Sequence, residues 1–253
     1  MATISTAMPS RTSAGDPAAR RERLFFGGMS VALAVTVFVG FSPTFYLHRV
    51  IGSSNVLTPT LLAHGTVFTS WVVLLVVQAA LVSADRTDLH RRLGVAGGVV
   101  GALIPLVAAY VSIERLRDGL MTLPDGTPAI GLFAVALATV IVFPALLGAA
   151  LYFRNRPDIH KRLVLIATLD LAYAAVARWP GVIAHTFSSS GPFWYYGLTD
   201  LFIVAILVYD LATRKSIHPA TLWGGLFLVT SQVLRELLGA TQGWAEFAHW
   251  VMT

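Results

Sequence analysis

The stretch "LLAHGTVFTSWVVLLVVQAALVSADRTDLHRRLG", residues 61–94, sets a long apolar run directly against a charged turn. A helix needs about 20 mostly apolar residues to cross a bilayer, and residues 61–83 form a run of that length. The turn that follows, "RTDLHRRL" at 86–93, returns in a close variant as "RPDIHKRL" at 156–163. Because the same charged phrase follows an apolar run twice, the pattern predicts two helical hairpins in a membrane.

The amino-acid composition also indicates that the protein lies in a membrane. Of the 253 residues, 56% are hydrophobic and 12% are charged, whereas a soluble domain carries about 25% charged residues. So little charge cannot cover a water-facing surface, so the bilayer is the expected environment. The chain has no cysteine, which excludes disulfides, thiolate metal sites and cysteine nucleophiles.

The fold class that follows is an all-α integral membrane protein with about seven transmembrane helices in one bundle. Helices are expected because backbone groups inside a bilayer must bond within their own segment. The seven predicted spans are residues 24–42, 60–83, 95–113, 129–153, 163–185, 194–213 and 220–239. The sequence therefore divides into a disordered basic tail (1–23), the helical bundle (24–239) and a short outer tail (240–253).

The distribution of Lys and Arg predicts the orientation. With seven spans, thirteen of these residues fall on one side and three on the other, and the richer side of a membrane protein is cytoplasmic. The N-terminus is expected in the cytoplasm and the C-terminus outside, in a multi-pass protein of the plasma (inner) membrane. The net charge of +5 is thus explained by topology, and the expected partner is the lipid bilayer rather than nucleic acid.

Membrane topology explains most of the repeated phrase but not its histidines. Asp88 and Asp158 are predicted as helix N-caps, where a carboxylate accepts from free N–H groups. The basic residues hold each turn on the cytoplasmic side. Neither role requires His90 or His160. Two histidines at matched depth could ligate a haem or metal, bind an anionic headgroup, or relay protons.

Ionisable residues inside the spans mark a second region. At about 1.5 Å per residue, His64, Arg178, His185 and Asp200 share the outer half of the bundle, because their spans place them at similar depth. Ionisable side chains in a membrane are candidate functional groups. The sequence therefore predicts a polar cofactor- or ligand-binding site there. The alternative is that Arg178 and Asp200 form an ion pair that only locks two helices.

Three further predictions concern weaker signals. Gln78 and Asp170 lie at similar depth in the inner half and are expected to form a second polar pair. Asp210 and Arg235 lie near span ends, where charged side chains can snorkel to the interface. His218 falls in a short loop and is expected in water.

The chain is similar to a family of uncharacterised bacterial multi-pass membrane proteins. The shared elements are His64-Gly65, Trp71, Gln78, the two turns with His90 and His160, and Arg178 with Pro180, over about residues 40–185. The resemblance implies an integral membrane protein. It implies no activity, because none is assigned to the family.

Three functions remain open from the sequence. The first is a redox or cofactor-binding protein in which His90 with His160 forms an inner haem b ligand pair and His64 with His185 forms an outer one. His160 and His185 would be about 37 Å apart on one helix, more than the bilayer core of about 30 Å, so they cannot both be deeply buried. The second is a small-solute or proton transporter, and the third is a structural or accessory protein. Whether it is an enzyme stays open, but no hydrolase triad order, phosphate loop, nucleotide fingerprint or HExxH motif is present.

Overall fold

The computed structural model describes residues 16–52, 57–121, 129–179 and 192–253. The described residues form helices joined by turns, with no strand among them, which confirms the all-α prediction. In chain order the helices are α1 (Pro17–Phe41), α2 (His48–Ile51), α3 (Pro59–Ser83), α4 (Thr87–Arg117), α5 (Ile130–Tyr152), α6 (Pro157–Val176), α7 (Pro192–Arg214), α8 (Pro219–Gly239) and α9 (Gln242–Met252). A single π-helical turn, Ser42–Tyr46, continues α1.

Five of the described helices are long and apolar enough to cross a membrane: α1 with its π turn, α3, α4, α5 and α7. The protein is therefore all-helical with the composition of a membrane protein. Helices α6 and α8, of 20 and 21 residues, correspond to the two other predicted spans. They are not counted with the five because neither contains a stretch of 18 residues that is sufficiently apolar and has few enough charges; Asp170 and Arg235 interrupt their apolar runs.

The local sequence explains where some of the helices begin. Proline occupies the first helical position in α1, α3, α6, α7 and α8, where its missing N–H costs nothing. The prediction that Asp88 and Asp158 cap α4 and α6 is wrong, because the capping positions are Arg86 and Arg156, without a side-chain cap bond. Both carboxylates lie in the first turn instead, where a negative charge still favours the helix dipole.

Both terminal helices extend into residues that were predicted as tails, whereas residues 1–15 of the predicted disordered tail lie outside the described residues. Helix α1 begins at Pro17 rather than at the apolar run, so residues 17–23 of the predicted tail are helical. At the other end, α9 occupies residues that were predicted as an outer tail. It is fixed to the bundle by Trp244 Nε1, which donates to Ile130 O at 2.9 Å, and by Arg117 Nε, which donates to Val251 O at 2.6 Å.

Helix α6 lies at the centre of the bundle. Twelve of its twenty residues are buried, and it packs against α1, α5, α7 and α8. By contrast, α3 buries only Trp71 and Val72. The approach of α1 to α6 depends on Gly40, where an added Cβ would lie 2.3 Å from Ala175 O. Only glycine fits at that crossing.

Side-chain contacts join the helix ends at each end of the bundle. Arg23 of α1 pairs with Asp85 in the α3–α4 turn at 2.7 Å, and Lys161 of α6 pairs with Glu22. At the opposite end, Thr60 Oγ1 donates to Glu114 Oε1 at 2.8 Å. The start of α1, the start of α6 and the α3–α4 turn therefore meet at one end of the bundle.

Candidate functional site

Of the four residues predicted to share the outer half, His64 and Arg178 lie near each other, whereas Asp200 is bonded elsewhere. Arg178 donates to Ala174 O and lies over the Phe41 ring, 4.5 Å from its centroid. Asp200 accepts instead from Gln232 Nε2 at 2.9 Å. The predicted Arg178–Asp200 ion pair is therefore wrong. His185 lies outside the described residues.

His64 lies on α3 against an aromatic neighbour. Its ring stacks on Phe68 with 4.2 Å between the centroids. Its Nδ1 is buried and has no hydrogen-bond partner among the described residues. The contact is that of a packed histidine, with one nitrogen left open.

The predicted pair of Gln78 and Asp170 is also wrong. Gln78 Nε2 donates to the main-chain oxygen of His90 at 3.2 Å. Asp170 instead forms a buried ion pair with Arg235, whose Nη2 lies 2.8 Å from Asp170 Oδ1. The pair joins the central helix α6 to α8, and each residue is 2% exposed. Arg235 therefore does not snorkel to the interface as predicted, because its partner lies inside the bundle.

The Asp170–Arg235 pair is surrounded by polar atoms that have no partner. Asp170 Oδ2, Arg235 Nη1, Thr139 Oγ1 and Tyr196 Oη are all buried, and none of them has a hydrogen-bond partner of good geometry within the described residues, although the Thr139 hydroxyl is close enough to Asp170 and to Tyr173 to bond to either after a small movement. Thr139 of α5 adjoins the Asp170 carboxylate, and the Tyr196 ring of α7 lies 5.9 Å from the Arg235 guanidinium carbon. These four residues from four helices are named the polar centre below.

More polar groups border the polar centre on the side of α7 and α8. Tyr173 packs against both Tyr195 and Tyr196, with ring centroids 6.1 and 5.9 Å away. Tyr195 Oη donates to Glu236 Oε1 at 2.8 Å. The centre is thus continued by two more carboxylates, Glu236 and the Asp200 bonded to Gln232. Neither of the two carboxylates forms an ion pair in the described structure.

A second buried ion pair, between Arg162 and Asp210, joins α6 to α7. Both side chains are 0% exposed. Here the polar atoms are satisfied, since Asp210 Oδ2 also accepts from Thr221 Oγ1 at 2.6 Å and from the His218 N–H at 3.2 Å. Arg162 Nη1 donates to Asp158 O at 2.8 Å. Unlike the polar centre, this pair leaves no side-chain atom open and has the character of a structural clamp.

Three predictions are corrected by this clamp. Arg162 is one of the basic residues that were expected to hold the second repeated turn on the cytoplasmic side, but it is enclosed by α6 and α7 because Asp210 lies opposite. Asp210 does not snorkel for the same reason. His218 is buried rather than solvated. Its Nδ1 accepts from Ala220 N at 3.0 Å, so its Nε2 carries the proton and donates to Asp158 Oδ2 at 3.0 Å. That bond holds the pKa of the Asp158 carboxyl below its usual range.

The two histidines of the repeated phrase approach each other. The ring centroids of His90 and His160 are 6.4 Å apart and their planes are nearly perpendicular, at 87°. His160 Nδ1 bonds to Ala150 O at 2.8 Å, while His90 Nδ1 is buried without a partner within the described residues. No group of three or more His, Cys, Asp or Glu side chains in the described residues, including these two histidines, has metal-site geometry.

Sequence reasoning missed Arg235 and Thr139 as members of a buried centre. Arg235 has a recognisable signal, because an ionisable residue inside an apolar run calls for an opposite charge on a neighbouring helix. Thr139 has none, since a threonine in a membrane helix normally bonds to its own backbone.

No protein-family model matches the chain, and no curated protein or solved structure is significantly similar to it.

Proposed function

We propose that this chain is a seven-span protein of the plasma (inner) membrane whose polar centre transfers protons through the helical bundle. The observation that carries the proposal is the set of four open polar atoms around the Asp170–Arg235 pair. Buried polar groups are almost always bonded. These buried atoms include both donors and acceptors, so together they are suited to bind a small polar molecule.

Water fits that description. A buried water makes about three hydrogen bonds to polar groups that would otherwise be unsatisfied, and the polar centre offers a carboxylate acceptor, a guanidinium donor and two hydroxyls. Within the described residues, Glu236 of α8 has a tyrosine as its side-chain partner and Asp200 of α7 has a glutamine. A carboxyl group without a cationic partner in a membrane is suited to take up and release a proton.

A purely structural role is the competing proposal, and the Arg162–Asp210 clamp distinguishes the two. A clamp should have its polar atoms satisfied, since each open buried atom costs about 1–3 kcal/mol. The Arg162–Asp210 pair meets that condition and the Asp170–Arg235 pair does not. The difference between two ion pairs on the same helix favours a function for the second.

Proton flux tests the proposal directly. The purified protein would be reconstituted into vesicles with a pH-sensitive dye inside, and a potassium diffusion potential would be applied with valinomycin. We expect flux with the native chain, and its loss in Asp200→Asn and Tyr196→Phe. The control is Glu246→Gln, an exposed change on α9. Absence of flux in the native protein, or equal flux in all variants, would reject the proposal.

The seven-span topology and its orientation are part of the same proposal. Its support is the meeting of the α1 start, the α3–α4 turn and the α6 start at one end of the bundle. Exposed apolar side chains along the helices support contact with lipid; they include Val95, Leu106, Ile141, Trp223 and Leu237. The paired turns likewise support membership of the bacterial multi-pass family that the chain resembles.

Because the chain has no cysteine, single cysteines can report the topology without background. We expect Arg154→Cys and Lys215→Cys to react with an impermeant maleimide only from the cytoplasmic side. Gly243→Cys should react only from outside. Labelling of all three from one side would contradict the topology.

A further inference from the structure

We infer that His90 and His160 bind one metal centre from opposite sides, at the end of the bundle where the two repeated turns meet. The inference is independent of the polar centre and of proton transfer. It rests on the spacing of the rings, on the state of their nitrogens, and on the way the two turns are held.

The spacing matches a shared metal. With metal–nitrogen bonds of about 2.0–2.1 Å, two imidazoles on opposite sides of one ion have ring centroids about 6.3 Å apart. Two imidazoles at a tetrahedral angle would have centroids only about 5.2 Å apart with the same bonds. The observed separation is 6.4 Å, which fits the opposed arrangement, and perpendicular ring planes are compatible with it.

The nitrogen of His160 is prepared for a metal. The Ala150 carbonyl can only accept, so the bond between them places the proton of the neutral ring on Nδ1. Nε2 is then left as a lone pair. Histidine ligands in proteins usually donate their other N–H to a carbonyl or carboxylate in this way, which fixes the tautomer and ring orientation.

His90 supplies the second open nitrogen. Its Nδ1 is buried and without a hydrogen bond in the described chain, so its lone pair or proton has no protein partner there. Its backbone is held in place by Gln78, which bonds to the His90 carbonyl. Both rings are half-buried, so the site is accessible from the end of the bundle.

The ligands available at the site limit which metals it can bind. No third His, Cys, Asp or Glu completes a ligand group in the described residues, so a four-ligand structural zinc site is not formed from them. Two opposed imidazoles suit a haem iron, which takes two axial ligands, or a cuprous ion, which accepts two-coordinate binding and is bound by imidazole. The shared chemistry is a metal centre with two opposite positions for nitrogen.

One experiment distinguishes haem iron from a cuprous ion. The full-length protein would be purified in detergent and its absorption spectrum recorded, followed by titration of the colourless protein with cuprous ion. A Soret band that disappears in His90→Ala and in His160→Ala identifies haem iron. Binding of one copper per chain without a Soret band identifies a copper ion. For copper, either variant should weaken binding roughly 100-fold or more, since loss of an outer-shell partner alone costs about 10–100-fold.

Two variants guard against misfolding as the explanation. His249→Ala, an exposed histidine on α9, should leave metal binding unchanged. His160→Met replaces one nitrogen ligand by a thioether, which also ligates haem iron and copper, and should retain the metal with an altered spectrum. A protein with neither a Soret band nor stoichiometric copper overturns the inference. So does metal binding that is equal in the native, His90→Ala and His160→Ala proteins.

Discussion

Arg235 and Asp170 form an ion pair between α8 and α6 in which each residue keeps one buried polar atom unbonded. Arg235 Nη2 satisfies Asp170 Oδ1 at 2.8 Å, while Arg235 Nη1 and Asp170 Oδ2 have no partner in the described residues. Only Nη2 of Arg235 and Oδ1 of Asp170 therefore take part in the bond between the two helices.

The first prediction concerns the stability of this pair. Asp170→Leu alone leaves the Arg235 charge buried and unpaired, which costs about 3–5 kcal/mol of unfolding free energy. The double variant Asp170→Leu/Arg235→Leu removes both charges and should recover most of that loss. Denaturant unfolding in detergent would measure both. Equal destabilisation by the single and double variants would show that the two charges are not coupled.

The second prediction separates function from stability at the same site. Tyr196→Phe removes a hydroxyl that has no side-chain partner in the described residues and that, as proposed, bonds to water. Thr139→Val removes a hydroxyl that adjoins the Asp170 carboxylate. We expect each change to lower the free energy of unfolding by no more than about 1.5 kcal/mol, the usual net contribution of one hydrogen bond. Proton flux in vesicles should nevertheless fall. Destabilisation well beyond that value would mean that the hydroxyl holds the helices together rather than serving proton transfer.

The third prediction uses the satisfied clamp as a contrast. Thr221→Val removes the hydroxyl that donates to Asp210 and leaves a buried carboxylate with one bond fewer. We expect a loss of about 1–3 kcal/mol, measured by the same unfolding assay, with proton flux per folded molecule retained. If Thr221→Val abolished flux while leaving stability intact, the roles assigned to the two ion pairs would be reversed.

The fourth prediction concerns pH at the end of α6. The His218 N–H donates to Asp158 and lowers the pKa of that carboxyl in the folded protein, relative to about 3.9 in an unfolded chain. The stabilisation is therefore present above the unfolded value and is lost as pH falls from about 5 through the lowered folded pKa. The Asp158 side chain is 46% exposed, so the effect is small.

Thermal unfolding of the native protein and of Asp158→Asn from pH 7 to pH 3 would measure this contribution. The difference between the two melting temperatures should shrink as the pH falls. A difference that stays constant over this range would show that Asp158 does not titrate differently in the folded and unfolded states.

The fifth prediction concerns the crossing of α1 and α6. At Gly40 an added Cβ would lie 2.3 Å from a backbone oxygen, which no side-chain rotation can relieve. Gly40→Ala should therefore destabilise the fold by about 1–3 kcal/mol, the usual cost of overpacking. Gly28→Ala on the same helix is the control, because nothing lies within 4 Å of its added Cβ. Equal stability of both variants would contradict the close approach.

The helices were largely predictable from the sequence, but the partners of the polar residues were not. Helix α3 was expected over 60–83 and is found at Pro59–Ser83, because apolar runs and prolines mark helix ends locally. The partner of Asp170 depends on how α6 and α8 are rotated about their axes. The depth of Asp170 in the membrane therefore suggested Gln78 as its partner. The rotation of α6 and α8 about their axes instead brings Arg235 next to it. Arg162 was misread for a related reason, since a basic residue in a turn and one enclosed by Asp210 look alike in sequence.

The central position of α6 has a consequence for synthesis. Asp170 and its partner Arg235 are 65 residues apart in the chain, and Asp210 lies 48 residues after Arg162. At about 5–20 residues per second on the ribosome, α6 emerges roughly 3–13 s before Arg235 does. Until Asp210 emerges, a nascent α6 carries two unneutralised charges, and from then until Arg235 emerges the Asp170 charge still lacks its partner. Newly made chains that stop before α8 should therefore be retained at the insertion machinery and become substrates for membrane proteases.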